Sequence, residues 1–160
     1  MKNKFSLLAL VLLASSLLVF SSCKDDDEVA TGQVLVTHAS PDAPAVDLLI
    51  DDQKENSAPL PYPANTGYIT VDAGNRNFKI NVAGTSTNVI NADLDIKANT
   101  NYSIFAVDSV ANLTAIAFED DLTSPASGKA HVRFIHLSPD APAVDIAVAS
   151  SGAVVFGDVA

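Results

Sequence analysis

The chain is poor in the residues that most often carry chemistry. A single cysteine in 160 residues excludes an intramolecular disulfide, and with only three histidines there is no Cys/His cluster suited to zinc. The absence of tryptophan, with just three tyrosines, leaves little material for a sugar-stacking platform. Seven dispersed glycines form no phosphate-cradling loop. Positive charge is scarce as well: nine Lys/Arg stand against 19 Asp/Glu, a formal net charge of -10, which argues against nucleic acid and anionic lipid headgroups as partners. Beyond the N-terminus no stretch sustains a period of 3.6 residues, so long amphipathic helices are excluded too.

The one long apolar run is N-terminal. Lys2 and Lys4 precede Phe5 to Phe20, 16 apolar-rich residues, too short for a typical span and right for the core of a signal peptide. Ser21 and Ser22 then lead into Cys23, the only cysteine. This placement resembles the lipobox of bacterial lipoproteins, which implies that residues 1–22 are a cleaved signal and that Cys23 is lipidated. Lys24, Asp25, Asp26, Asp27 and Glu28 follow, and residues 23–32 read as an acidic, solvated tether. Cysteine, lysine and acids in that order resemble the export signal of surface lipoproteins in Bacteroidetes-type bacteria, which implies the outer face of the outer membrane. Without residues 1–22, 138 residues remain with 7 basic and 19 acidic side chains, enough for one full domain and part of another.

At an offset of 98 the chain matches itself: Val34 to Asp47 aligns with Val132 to Asp145, with 10 of 14 positions identical. His38, Ser40, Pro41, Asp42, Pro44 and Asp47 recur as His136, Ser138, Pro139, Asp140, Pro142 and Asp145. The repeat divides the mature chain into a first unit over 33–121, a Ser/Pro/Gly-containing linker over 122–129, and the start of a second, truncated copy over 130–160. Two or three strands cannot bury a core alone, so a longer parent protein is expected. The motif His-x-Ser-Pro-Asp-Ala-Pro-Ala-Val-Asp resembles the bacterial domain of unknown function 4397 family. That resemblance implies tandem β-sandwich domains in exported proteins and no known activity.

Period-2 alternation supports the same fold class without the resemblance. Strands are expected at Gln33–His38, Val46–Ile50, Tyr68–Asp72, Asn77–Val82, Asn88–Leu94, Tyr102–Val107 and Leu113–Phe118, an all-β, immunoglobulin-like sandwich. Val46, Leu48 and Ile50 share an inward face, as do Val144, Ile146 and Val148 in the repeat. Ala73-Gly74-Asn75-Arg76 is expected as a hairpin loop.

Three constellations invite a chemical reading. His38, Ser40 and Asp42 could suggest a Ser/His/Asp arrangement, but no nucleophile elbow is present and His38 continues the stripe of Val34 and Val36. A core histidine and a proline-fixed turn are therefore expected, with no catalytic residue. Asp42, Asp47, Asp51 and Asp52 could offer oxygen to Ca²⁺, yet they lack EF-hand spacing and Asp51-Asp52 is replaced by Ala149 and Ser150 in the repeat, so no metal or cofactor is expected. Asp108-Ser109-Val110 resembles the Asp-Ser/Thr-apolar O-glycan acceptor of Bacteroidetes-type exported proteins, which marks Ser109 on an expected loop tip. The functional expectation is a surface-exposed, lipid-anchored binding, adhesive or structural module with no intrinsic catalysis, held to the membrane through Cys23 and meeting an extracellular polymer or protein. The rivals are an envelope hydrolase or metal-dependent enzyme using the His38/Ser40/Asp42 corner, and a periplasmic accessory subunit.

Overall fold

The computed structural model describes residues 28–160. The expected signal peptide, Cys23 and the first part of the acidic tether lie outside the described residues. The strands run in the order β1 (Thr31–His38), β2 (Val46–Ile50), β3 (Gln53–Lys54), β4 (Asn65–Asp72), β5 (Gly74–Val82), β6 (Asn88–Ile96), β7 (Asn101–Val107) and β8 (Thr114–Asp120). A single 3-10 turn, Val110–Asn112, separates β7 from β8, and β9 (Val144–Ala147) and β10 (Val154–Val159) follow. The first eight strands make the expected β-sandwich: one sheet ordered β4-β1-β7-β8 and one ordered β3-β2-β5-β6.

Alternation places the core. In β1 every second residue is buried, so Gly32, Val34, Val36 and His38 point inward while Gln33, Leu35 and Thr37 are half-covered. Val34, Val36, Tyr102 and Ile104 of one sheet and Leu48, Ile50, Phe78, Ile80 and Ile90 of the other belong to one core cluster. Each fully buried aliphatic of this kind contributes about 1.5–3 kcal/mol relative to exposure, which holds two sheets together without a disulfide. Asp47 points away from the face that carries Val46 and Leu48 and is nonetheless buried, under polar cover described below. β1 begins earlier than alternation alone suggests: Thr31 and Gly32 pair with Asp72 and Val71, so the tether gives way to strand two residues before Gln33. Gly32 is required there, because a Cβ would lie 2.7 Å from Ile96 Cγ2 and 2.9 Å from the Lys97 carbonyl.

The segment Ala73–Arg76 is not a hairpin. β4 pairs with β1, whereas β5 pairs with β2 and β6, so Ala73 alone carries the chain from one sheet to the other. Gly74, at φ 107°, takes the bend, and Ala73 N donates to Ala30 O at 2.7 Å. Two adjacent apolar runs look the same locally whether they pair with each other or face each other across a core. The tight hairpin lies instead at Asp51-Asp52, both at positive φ, joining β2 to β3.

Two pairings position the functional corner. β1 runs parallel to β7, which places His38 beside Ala106, and Ala39 N donates to Ala106 O at 2.8 Å. β1 and β2 belong to different sheets, so residues 39–45 form a sheet-to-sheet crossing. Residues 130–143 contain no strand, and β9 and β10 form a separate two-stranded sheet. There the expected inward face is uncovered: Val144 and Ile146 are half-buried, and Val148 is exposed.

Candidate functional site

The crossing after β1 is held by side chains bonding to nearby backbone. His38 Nδ1 accepts from Ser40 N at 3.3 Å, so Nε2 carries the proton and donates to the Pro44 carbonyl at 3.0 Å. Ser40 Oγ donates to Asp42 Oδ1 at 3.2 Å, and the same oxygen accepts from Val110 N at 3.0 Å, which ties the crossing to the turn after β7. Pro41 and Pro44 fix φ on either side of Asp42 and Ala43. His38 and Ser40 have no exposure, and Tyr62 closes over the imidazole edge-on, with ring centroids 6.4 Å apart.

Chemically this is a closed network. The serine hydroxyl is spent on a carboxylate, and both ring nitrogens are spent on the main chain. A nucleophile and base need a shared hydrogen bond, and the Ser40 hydroxyl and the His38 ring share none.

The repeat builds the same corner again. His136 Nε2 lies 3.2 Å from the Pro142 carbonyl, Ser138 N donates to His136 Nδ1 at 3.2 Å, and Ser138 Oγ donates to Asp140 Oδ1 at 3.1 Å. Here the corner is open to solvent, with His136 half-buried and Ser138 exposed. Between the two corners lies a groove of about 950 Å³, lined among others by Pro41, Tyr62, Ser109, Phe134, His136 and Pro139. Asp42, Asp108 and Asp140 also line it, with no Lys or Arg.

The profile of a domain of unknown function, DUF4397, matches residues 32–147. The chain belongs to the DUF4397 family. No curated protein matches the chain. The matched region runs from β1 to the last residue of β9, so in this DUF4397 chain it takes in the sandwich, the segment after β8 and the second corner.

The remaining expected site residues are placed as follows. Asp47 Oδ1 pairs with Lys54 Nζ at 2.8 Å, and Oδ2 accepts from Gly84 N at 3.0 Å. The Lys54 hydrogen bond, then that from Gly84, hold its carboxyl below the ordinary aspartate value despite burial. Its repeat partner Asp145 accepts from Asp158 N at 2.9 Å. Asp51 takes Arg76 at 3.0 Å and Asn77 N at 2.9 Å, and Asp52 takes Lys79 Nζ at 2.5 Å. The carboxylates weighed as oxygen ligands are thus each engaged by protein donors. Ser109 lies in the connection between β7 and the 3-10 turn, half-buried beside the groove, and follows Asp108 at φ 74°.

One cluster has no signature in the sequence. Asp120, with a side chain 8% exposed, accepts from Tyr68 OH at 2.6 Å and Ser103 Oγ at 2.7 Å, and pairs with Arg133. Arg133 also donates to Glu119 O at 2.6 Å and lies 5.8 Å over the Phe118 ring. Burial pushes the Asp120 carboxyl up, and the donors from Tyr68, Ser103 and Arg133 outweigh it, leaving it below its ordinary value. Burial, then the adjacent Asp120, push the Tyr68 phenol up. The members come from β4, β7, β8 and the second copy, so no spacing rule unites them.

Proposed function

We propose that this DUF4397 chain is a lipid-anchored module of the bacterial cell surface that binds, adheres or supports, with no catalysis of its own. The observation that carries the reading is the hydrogen-bond network at the His38/Ser40/Asp42 corner, which spends both ring nitrogens of His38 on the main chain and the Ser40 hydroxyl on the Asp42 carboxylate. Sequence alone supports the anchor: the signal-like segment, the Ser-Ser-Cys junction at Cys23 and the acids behind it. The acidic groove between the corners, with Tyr62 and Phe134 on its wall, is the surface offered to an extracellular polymer or protein. Ser109 is part of the same proposal, as an O-glycan acceptor.

The test is made in cells of the native host. Cys23→Ala moves the protein from the membrane to the soluble fraction, and protease added to intact cells degrades the wild type. Protection from that protease favours the periplasmic accessory reading, and membrane retention of Cys23→Ala ends the anchor. Intact mass without glycan at Ser109 removes that element alone.

A further inference from the structure

We propose that the outer face of the β4-β1-β7-β8 sheet is a seat for the repeat segment, residues 130–143, and that Arg133 is the residue that fixes the segment there. The two outer faces of the sandwich are unlike. Asn77, Lys79, Asn91 and Asp93 share the outer face of the β3-β2-β5-β6 sheet, where Asn77 Nδ2 donates to Asn91 Oδ1 at 2.8 Å and to Asp93 Oδ1 at 2.7 Å. On the β4-β1-β7-β8 sheet, Leu35 and Phe105 alternate with the buried Val36 and Ile104, and Ile116 and Phe118 lie opposite Phe105 and Ser103 on the same outward face. Leu35, Phe105, Ile116 and Phe118 are all half-buried, and the two phenylalanine rings meet edge to face with centroids 6.2 Å apart. An apolar strip on the outside of a sheet calls for a cover.

The repeat segment is adapted to be that cover. Val34 to Asp47 and Val132 to Asp145 differ at four positions, and three of them, Leu35/Arg133, Thr37/Ile135 and Ala39/Leu137, fall on the outward parity of β1. At each of the three the repeat carries the larger side chain. Ile135 and Leu137 are half-buried, and they line one groove with Thr37, Tyr62 and Pro63. Any sheet built on the opposite parity, that of Val132 and Phe134, leaves these three positions free for the seat. Arg133 meets a site suited to a guanidinium: it pairs with Asp120, donates through Nη2 to Glu119 O at 2.6 Å, and lies 5.8 Å over the Phe118 ring. Tyr68 OH and Ser103 Oγ, from β4 and β7, donate to Asp120 Oδ2 at 2.6 and 2.7 Å and hold the carboxylate for that pairing. Leu35, at the aligned position, has no side-chain donor, so this contact belongs to the repeat alone.

The test is nitrogen-15 relaxation on the 160-residue chain. Backbone order parameters at residues 133–137 are expected at about 0.85, like those of rigid strands, and fall below about 0.6 in Arg133→Leu, which installs the residue of the first copy. Asp120→Asn lowers them from the sheet side, and Ile135→Thr combined with Leu137→Ala lowers them from the apolar side. Arg133→Lys keeps the charge but loses the planar fork, so it does not restore the order. In Arg133→Leu the order parameters of β1 to β8 stay at their wild-type values, which separates release of the segment from misfolding. Low order at 133–137 in the wild type, wild-type order there in any of the three disrupting variants, or full order in Arg133→Lys overturns the proposal.

Discussion

Replacing His38 with alanine and, separately, His136 with alanine compares one hydrogen-bond network in two environments. At the first corner the imidazole has no exposure, and Ser40, whose N–H it accepts, has none either. His38→Ala strands that N–H away from water at about 1–3 kcal/mol, while the Pro44 carbonyl, on an exposed residue, recovers a water. The space left by the ring and the lost edge of Tyr62 add about 2 kcal/mol, toward the low end for large-to-small core changes. The total, about 3–5 kcal/mol, is a large part of the roughly 5–15 kcal/mol that holds a domain together. With a urea slope of about 2 kcal/mol per molar, the unfolding midpoint falls by about 2 M, read by circular dichroism because the chain has no tryptophan. His136→Ala breaks the same two bonds where water replaces both partners, so the midpoint moves by less than about 0.3 M. Equal losses from the two variants, or a His38→Ala loss under about 1 kcal/mol, refute the view that burial turns this corner into a structural keystone.

Three further outcomes follow from named contacts. Asp47 has a lowered carboxyl pKa, so its stabilisation is complete above the unfolded value of about 3.9 and is lost as pH falls through the lower folded value; Lys54→Met makes acid unfolding begin at higher pH, followed by circular dichroism. Gly32→Ala forces a Cβ against Ile96 and the Lys97 carbonyl and costs about 1–3 kcal/mol in thermal or urea unfolding, and an unchanged midpoint shows that the β6–β7 connection yields freely. Asp120→Asn removes the charge that helps raise the Tyr68 phenol, so Tyr68 ionises at lower pH in an ultraviolet titration, whereas an unmoved titration assigns the shift to burial alone.

What the sequence makes legible here is what is local. Alternation is a property of neighbouring residues, and β2 therefore begins at Val46 and ends at Ile50 as patterning suggests. Sheet membership depends on partners far along the chain. Val71 and Phe78 are seven residues apart and both buried in the core, yet they sit in opposite sheets, and nothing between them but Ala73 and the bend at Gly74 signals the crossing. The parallel pairing of β1 with β7 is invisible for the same reason, and with it the placement of Ala106 beside His38. Arg133 was unreadable as a partner of Asp120 because in the aligned repeat it replaces Leu35, so self-comparison draws attention away from it.

The two corners separate local from long-range determinants within one molecule. Their matching hydrogen bonds agree to within 0.2 Å, although His38 and Ser40 are buried whereas His136 is half-buried and Ser138 exposed. The geometry of the crossing therefore comes from its own residues: two prolines limiting φ, a serine and an aspartate closing a short turn, and an imidazole bridging two main-chain groups. The sheets contribute burial, which gives the network its stabilising value by removing water as a competitor. A turn that assumes its shape before its sheets assemble can direct β1 and β2 to opposite layers at the start of folding. Both copies of the motif line the groove between them, His38, Pro41 and Asp42 from the first and His136, Pro139 and Asp140 from the second.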